Sequence, residues 1–456
     1  MKKLFKNVLA IGCAATAALS LAACSGESAY DLAVKDGFQG DEWQWLQSLK
    51  GLDGEDGQDL DISAIYEEAK TNGFKGTFLD FLKEYLSVDV KDNNDTAQIS
   101  ENMMSVVSIH CGFSRIVSGG GWWGSSTVEY YMASGSGVIV DLDTEAGSAL
   151  VVTNYHVLYD AASTARGISD CIYLYTYGGL NKFSPQTGDQ GGDGMKATYI
   201  GGAMDYDIAL LLVEDSDFLK DNETVREAEF GDSESVVAGE NVFAIGNPEG
   251  AGISVTSGVI SVESEYITMN STDGQSYVSY RVMRTDAAIN GGNSGGALFN
   301  AEGKLIGITN AKNVGEETDN MGFALPITQV KYIIENIQDN GGVVKRAILG
   351  SSVAVKSSSA AFDNSGHIEI TEKLHVTKPS LLSSTADYNC FEEFDVLEWL
   401  QIGNGLKHTL TREYQLSDLL LTVRRGDVVT FGVIRDGAST TVTVKFDKES
   451  YFRTYR

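Results

Sequence analysis

A hydroxyl attacks a peptide carbonyl efficiently when four groups meet. They are the hydroxyl on an accessible turn, an imidazole base, a carboxylate that fixes the imidazole, and N–H donors for the oxyanion. The chain offers one good candidate for each. Ser294 lies in Gly291-Gly292-Asn293-Ser294-Gly295-Gly296-Ala297-Leu298. Flanking glycines let the backbone take strained angles and let a substrate come close. The N–H groups of Gly292 and Ser294 can then converge on one point. The base must be one of His110, His156, His367, His375 and His408. His156 closes an apolar run, Leu150-Val-Val-Thr-Asn-Tyr-His-Val157. Asp207 directly precedes the apolar run Ile208–Val213, where a strand edge would hold it rigidly; Asp205 is its local competitor. Each residue alone has a plainer reading: a glycine loop, a structural histidine at a strand end, a strand-opening turn.

The elements that must position these groups read as short strands. From about Met104 to Pro326, apolar runs are separated by glycine-bearing turns: Gly137–Val140, Ala149–Val152, Ile208–Val213, Asn241–Ile245 and Leu305–Ile308. Val278, Tyr280 and Val282 alternate as a half-buried strand should. Many short, evenly spaced strands predict an all-β sandwich or a pair of barrels. A helix follows over about Ile327–Gln338, with Val330, Ile333, Ile334 and Ile337 on one face and Gly341-Gly342 to stop it. Val428–Ile434 and Thr440–Phe446 flank Arg435-Asp436-Gly437-Ala438, a good hairpin signal.

Three segments, Thr153-Asn-Tyr-His-Val157, Tyr206-Asp-Ile-Ala-Leu210 and Gly292-Asn-Ser-Gly-Gly-Ala-Leu298, resemble the trypsin-like serine peptidases in order and spacing. The resemblance is closest to the HtrA/Deg type. Gly135–Ile139, Ala244–Gly250, Val255–Val259, Thr285–Asn290 and Gly322–Pro326 extend it over about residues 105–350. It implies a mainly β fold, a chymotrypsin-like double β-barrel with the site in the cleft. His156 and Asp207 would come from the first barrel and Ser294 from the second. Gly292 and Ser294 would bind the oxyanion. Ile289, Ile308 and Ala311 would line the primary pocket. No aspartate sits at its base, so small to medium apolar side chains are expected there. A trimer is a further family expectation. The C-terminal part resembles the family's PDZ domain in Arg346–Gly350, Phe394–Leu397, Tyr414–Leu420, Gly426-Asp427 and Val433–Gly437. Such a domain binds extended peptides by strand addition. Ser351 and the long polar stretch Lys356–Asn389 depart from its pattern, which leaves peptide binding open against a structural or oligomer-regulating role.

The N-terminus carries a basic start, Met1–Lys6, then an apolar run, Val8–Ala23, too short to span a bilayer comfortably. Leu21-Ala22-Ala23-Cys24 resembles the bacterial lipoprotein signal, which implies cleavage before Cys24 and a lipid anchor on its sulfur. Tyr30–Lys50 and Tyr66–Leu86 then repeat a Gly-x-x-Gly/helix pattern, with Gly37/Gly73, Phe38/Phe74, Gly40/Gly76 and Leu46/Leu82 in common. The expected organisation is a signal peptide over residues 1–23 and two small helical repeat modules over 24–95. A protease domain over 104–330, a linker helix over 331–343 and a PDZ-like α+β domain over 344–456 follow.

The chain has 456 residues and a formal net charge of −29. So acidic a surface disfavours nucleic acid and electrostatic adhesion to anionic lipid. No Cys-x-x-Cys or Cys/His cluster suggests a metal, and no cofactor is expected. Of Cys111, Cys171 and Cys390, the first two could form a disulfide or remain free buried thiols. Two functional readings follow. One is an extracytoplasmic, lipid-anchored endopeptidase acting on unfolded or damaged proteins, or on one specific surface protein. The other is a non-catalytic, peptide-binding or chaperone-like scaffold on a protease fold.

Overall fold

The computed structural model describes Lys70, Lys75 and residues 94–456 apart from 119–125, 164–166, 311–320, 364–365 and 380–390. The signal segment, Cys24, Ala311, Cys390 and nearly all of the two repeats lie outside the described residues. From Asp95 to Arg456 the chain forms one compact unit.

Helix α1 (Asn94–Met103) leads into the first barrel. Its strands are β1 (Val106–Ser118), β2 (Ser126–Asp143), β3 (Ser148–Thr153), β4 (Cys171–Tyr175), β5 (Met195–Ala203) and β6 (Ile208–Val213). They close in the order β1-β2-β3-β6-β5-β4. The one-turn helix α2 (Tyr155–Leu158) follows β3. A second barrel repeats the same order, β7-β8-β9-β12-β11-β10. Its strands are β7 (Asn241–Gly246), β8 (Ser254–Asn270), β9 (Tyr277–Thr285), β10 (Ala297–Asn300), β11 (Leu305–Asn310) and β12 (Gly322–Pro326).

The apolar runs explain why the barrels join. Side chains alternate across a strand. On β6, Ala209, Leu211 and Val213 cluster with Ile109, Ile139 and Val151 of the first barrel. Ile208 and Leu210, on the other face, share a cluster with Phe299, Leu305 and Ile333. A strand buried on both faces must be apolar throughout, as Ile208–Val213 is. Helix α3 (Ile327–Asp339) lays Val330, Ile333, Ile334 and Ile337 into that shared cluster. Gly341 (φ 64°) and Gly342 (φ 96°) end it, with the Gly342 N–H donating to Ile337 O at 2.9 Å.

In the C-terminal part, β13 (Val344–Ala347) finds its antiparallel partner in a strand over residues 452–455. Between them lie β14 (Ser352–Phe362), β15 (Ile368–Lys378), β16 (Val396–Ile402), β17 (Lys407–Thr409), helix α4 (Glu413–Leu419), β18 (Val428–Arg435) and β19 (Ala438–Lys445). The last strand is β20 (Phe452–Tyr455). The sheet order is β14-β15-β16-β18-β19, with β17 beside β16. The β18–β19 turn has Asp436 at φ 50° and Gly437 at φ 83°, the two positive values a type I′ turn needs. Much of the polar stretch after Lys356 is the exposed β14–β15 hairpin.

The disulfide alternative is excluded by register. Cys111 pairs with Ile172, and Cys171 pairs with Gly112. Adjacent ladder positions face opposite sides of the sheet, so the two side chains point apart. Both are free thiols, Cys111 buried and Cys171 half-exposed.

Candidate active site

Strand β3 ends at Thr153, and Asn154, still extended at φ −76° and ψ 144°, starts α2. That single turn carries His156 out to the rim of the barrel, where its side chain stays 21% exposed. Asp207 sits in the turn between β5 and β6 and is fully buried. Its φ of 53° is left-handed, which costs a non-glycine residue ~1–2 kcal/mol. The surroundings hold it there. Its carbonyl accepts the Tyr155 N–H at 3.1 Å and Asn154 Nδ2 at 3.0 Å. Its Oδ1 accepts the His156 backbone N–H at 3.0 Å, and its Oδ2 meets His156 Nδ1 at 2.7 Å. An ionised carboxylate only accepts, so Nδ1 carries the proton. Nε2 is then free to accept from Ser294 Oγ, 2.9 Å away.

The serine turn is equally specified. The Asn293 N–H donates to Asn290 O at 3.0 Å, closing a four-residue turn. Gly292, its third residue, has φ 94°. A positive φ there defines a type II turn and requires glycine. The central amide is flipped relative to type I, and the Gly292 N–H has no partner among the described residues. Gly295 (φ 82°) packs so closely that a Cβ would stand 2.2 Å from Ser136 O and from Thr153 Oγ1. The Gly295 N–H donates to Thr309 O at 2.9 Å, and Thr309 Oγ1 donates to Asn293 O at 2.6 Å.

Two residues not singled out from sequence complete the arrangement. Ser136, buried on β2, reaches across the cleft. Its N–H donates to Ser294 O at 2.8 Å, and its hydroxyl donates to Gly292 O at 2.7 Å. The same Oγ accepts the Asn247 N–H at 2.8 Å. Asn310 ends β11 and donates from Nδ2 to Asp207 Oδ2 at 3.0 Å, while Tyr280 O–H lies 3.3 Å from the same nitrogen. The available signals were a serine between two strand glycines, which marks close backbone approach, and a polar residue closing an apolar strand.

His156, Asp207 and Ser294 are therefore brought together, with Gly292 one turn away. Asp205 is not part of the group. His110 lies elsewhere in the first barrel, between Asn181 Nδ2 (2.9 Å) and the Met132 sulfur (3.3 Å). His367, His375 and His408 belong to the C-terminal part. Ile289 is half-buried, and a Cβ on Gly322 would stand 2.8 Å from its Cδ1. Ile308 differs from its expected place on a pocket wall. It is fully buried in the cluster shared by the barrels, because every position of β11 is enclosed.

Two closed barrels with this serine in their cleft define a class. Residues 135–308 match the trypsin-like peptidase domain, and the protein is a serine endopeptidase. Serine protease Do-like HtrA of Lactococcus lactis subsp. cremoris (strain MG1363) is 30% identical over 387 residues, 80% of this chain and 85% of the relative. The same-named protein of Lactococcus lactis subsp. lactis (strain IL1403) is 30% identical over 352 residues, 74% of this chain and 76% of its own. The chain belongs to the HtrA family of serine proteases. Periplasmic serine endoprotease DegP of Escherichia coli (strain K12) is 29% identical over 338 residues, covering 73% of this chain and 60% of DegP. Among solved structures, the HtrA-type protease AlgW with tripeptide is 23% identical at a TM-score of 0.48, over 79% of this chain and 97% of its own.

Proposed function

We propose that this chain hydrolyses peptide bonds of extracytoplasmic proteins, unfolded or damaged ones above all, through Ser294, His156 and Asp207. The observation that carries the reading is the continuous hydrogen-bonded path from Asp207 Oδ2 through the His156 ring to Ser294 Oγ, at 2.7 and 2.9 Å. Ser294 Oγ attacks the scissile carbonyl while Nε2 takes its proton. The positive ring is stabilised by Asp207. The same proton then passes to the leaving amine, and water repeats the sequence on the acyl-enzyme. The N–H groups of Gly292 and Ser294 receive the oxyanion. The type II turn supports that role for Gly292, because it leaves the N–H without a partner among the described residues. Loss of one such donor typically costs ~3 kcal/mol in the barrier. Ile289 forms part of the primary pocket and favours small to medium apolar side chains.

A location outside the cytoplasm is supported by the relative DegP, a periplasmic serine endoprotease. A lipid anchor at Cys24 and the module boundaries proposed above rest on sequence. A PDZ-like domain over 344–456 is supported by the antiparallel sheet and helix α4 there.

Labelling with an active-site fluorophosphonate tests the core assignment. Wild type labels; Ser294→Ala and His156→Ala do not; His110→Ala still does. A folded wild type that fails to label, or a Ser294→Ala variant that labels equally, returns the protein to the non-catalytic scaffold reading.

A further inference from the structure

The carboxylate of Asp207 is gripped by the barrels, but the strained turn that presents it has other neighbours. Left-handed backbone at a non-glycine residue persists only where the surroundings over-determine it. Within the turn, the Tyr206 N–H donates to Ala203 O at 3.1 Å and the Asp207 N–H to Met204 O at 3.2 Å. The turn that ends α3 and the C-terminal part supply the rest. The Met204 N–H donates to Arg456 O at 2.8 Å, and the Gly202 N–H donates to Gly342 O at 3.1 Å. The Tyr206 and Tyr455 rings meet edge-on, centroids 5.2 Å apart at 69°. Arg346, on β13, donates from Nη1 to Tyr206 Oη at 3.2 Å and lies 5.4 Å from the centre of the Tyr455 ring. Tyr206 and Tyr455 are both buried, and burial raises the Tyr206 hydroxyl well above its ordinary range, so it stays neutral.

β13 and β20 pair with each other, so Arg346 and Tyr455 stand on one rigid ribbon. That ribbon grips the residue immediately before Asp207. We propose that Tyr455, Arg346 and Tyr206 are positioning residues for the peptidase reaction, bracing the strained turn so that the Asp207 carboxylate stays aimed at His156. None of them touches substrate. The proposal rests on the assignment of Asp207 as the group that orients His156. Loosening the brace lets the carboxylate drift, which slows chemistry without altering the substrate-binding surface. Displacements of about 1 Å at a distance from the reacting atoms can cost ~100-fold in rate.

The test uses the full chain and an unstructured protein substrate, with kcat and KM measured separately and folding followed by thermal unfolding. Tyr455→Ala is expected to lower kcat at least about tenfold with KM within about twofold. Tyr455→Phe, which keeps the ring, restores most of the loss. Tyr206→Phe, which removes the hydroxyl that Arg346 meets, and Arg346→Met, which removes the guanidinium from both tyrosines, leave the two rings in contact and lower kcat by smaller factors in the same direction. A folded Tyr455→Ala variant with wild-type kcat overturns the brace, as does a rise in KM alone. If Tyr455→Ala does not fold, the two milder variants decide, and wild-type kcat in both overturns it. Asp207→Ala separates the two assignments: intact activity there removes the role of Asp207 itself, whereas failure of the Tyr455 series with an inactive Asp207→Ala removes only the brace.

Discussion

A carboxylate shut away from water must collect donors or take up a proton. Asp207 collects them from the His156 backbone, the His156 ring and the amide of Asn310. Asn310 is the unusual member, because its partner is 103 residues away in sequence and belongs to the other barrel. Asn310→Leu keeps the volume and removes the donor. It should cost about 1–3 kcal/mol of stability, the usual penalty for leaving a buried charged group short of a hydrogen bond. Denaturant unfolding reads that loss. Steady-state kinetics should record roughly a tenfold lower kcat, in line with a base less firmly oriented. The same residue marks the limit of the sequence reading. His156, Asp207 and Ser294 were legible because few side-chain types can do their work and each stands at a strand boundary or glycine turn. Asn310 and Ser136 were not, because a polar residue beside a strand is ordinary until its partner across the cleft is known.

The turn Asn290–Asn293 makes an element-scale prediction. With Gly292 at φ 94°, an alanine there is strained in the type II form and relaxes toward type I, which turns the central amide over. Gly292→Ala should therefore lower kcat about 100- to 1,000-fold, as removal of an oxyanion donor does. Fluorophosphonate labelling should slow in parallel, while thermal unfolding shifts little. Wild-type labelling rates would remove Gly292 from the proposed oxyanion site. Elements with strong patterns were read closely from sequence: β6 over Ile208–Val213, α3 within a residue, and the β18–β19 hairpin with its Asp436-Gly437 turn. The β14–β15 hairpin was not. Beyond Val355, β14 is exposed on both faces, so no apolar alternation exists to be read.

At the scale of the molecule, the barrels and the C-terminal part meet over a buried ionic group. Arg281, on β9, lies 3.1 Å from Asp418 Oδ2 on α4 and 2.7 Å from Glu234, with its guanidinium 3.8 Å from the centre of the Tyr414 ring. Gln329 Nε2 donates to Asp418 Oδ1 at 2.6 Å. Burial pushes the Asp418 carboxyl up to about 6, against the pull of Arg281 and the Gln329 bond. A carboxyl raised on folding contributes stability that is fully present below its unfolded value, about 4, and is lost as pH rises through about 6. The wild-type unfolding midpoint should therefore fall, relative to Asp418→Asn, between about pH 4 and 7. Thermal unfolding across that range checks it, and parallel pH profiles for the two proteins would sink it. The bridge made by Ser136 has a consequence of another kind. Half of the cutting apparatus is laid down with the first barrel and half with the second, and neither half can cut alone. Cleaving power is thus a certificate of finished assembly.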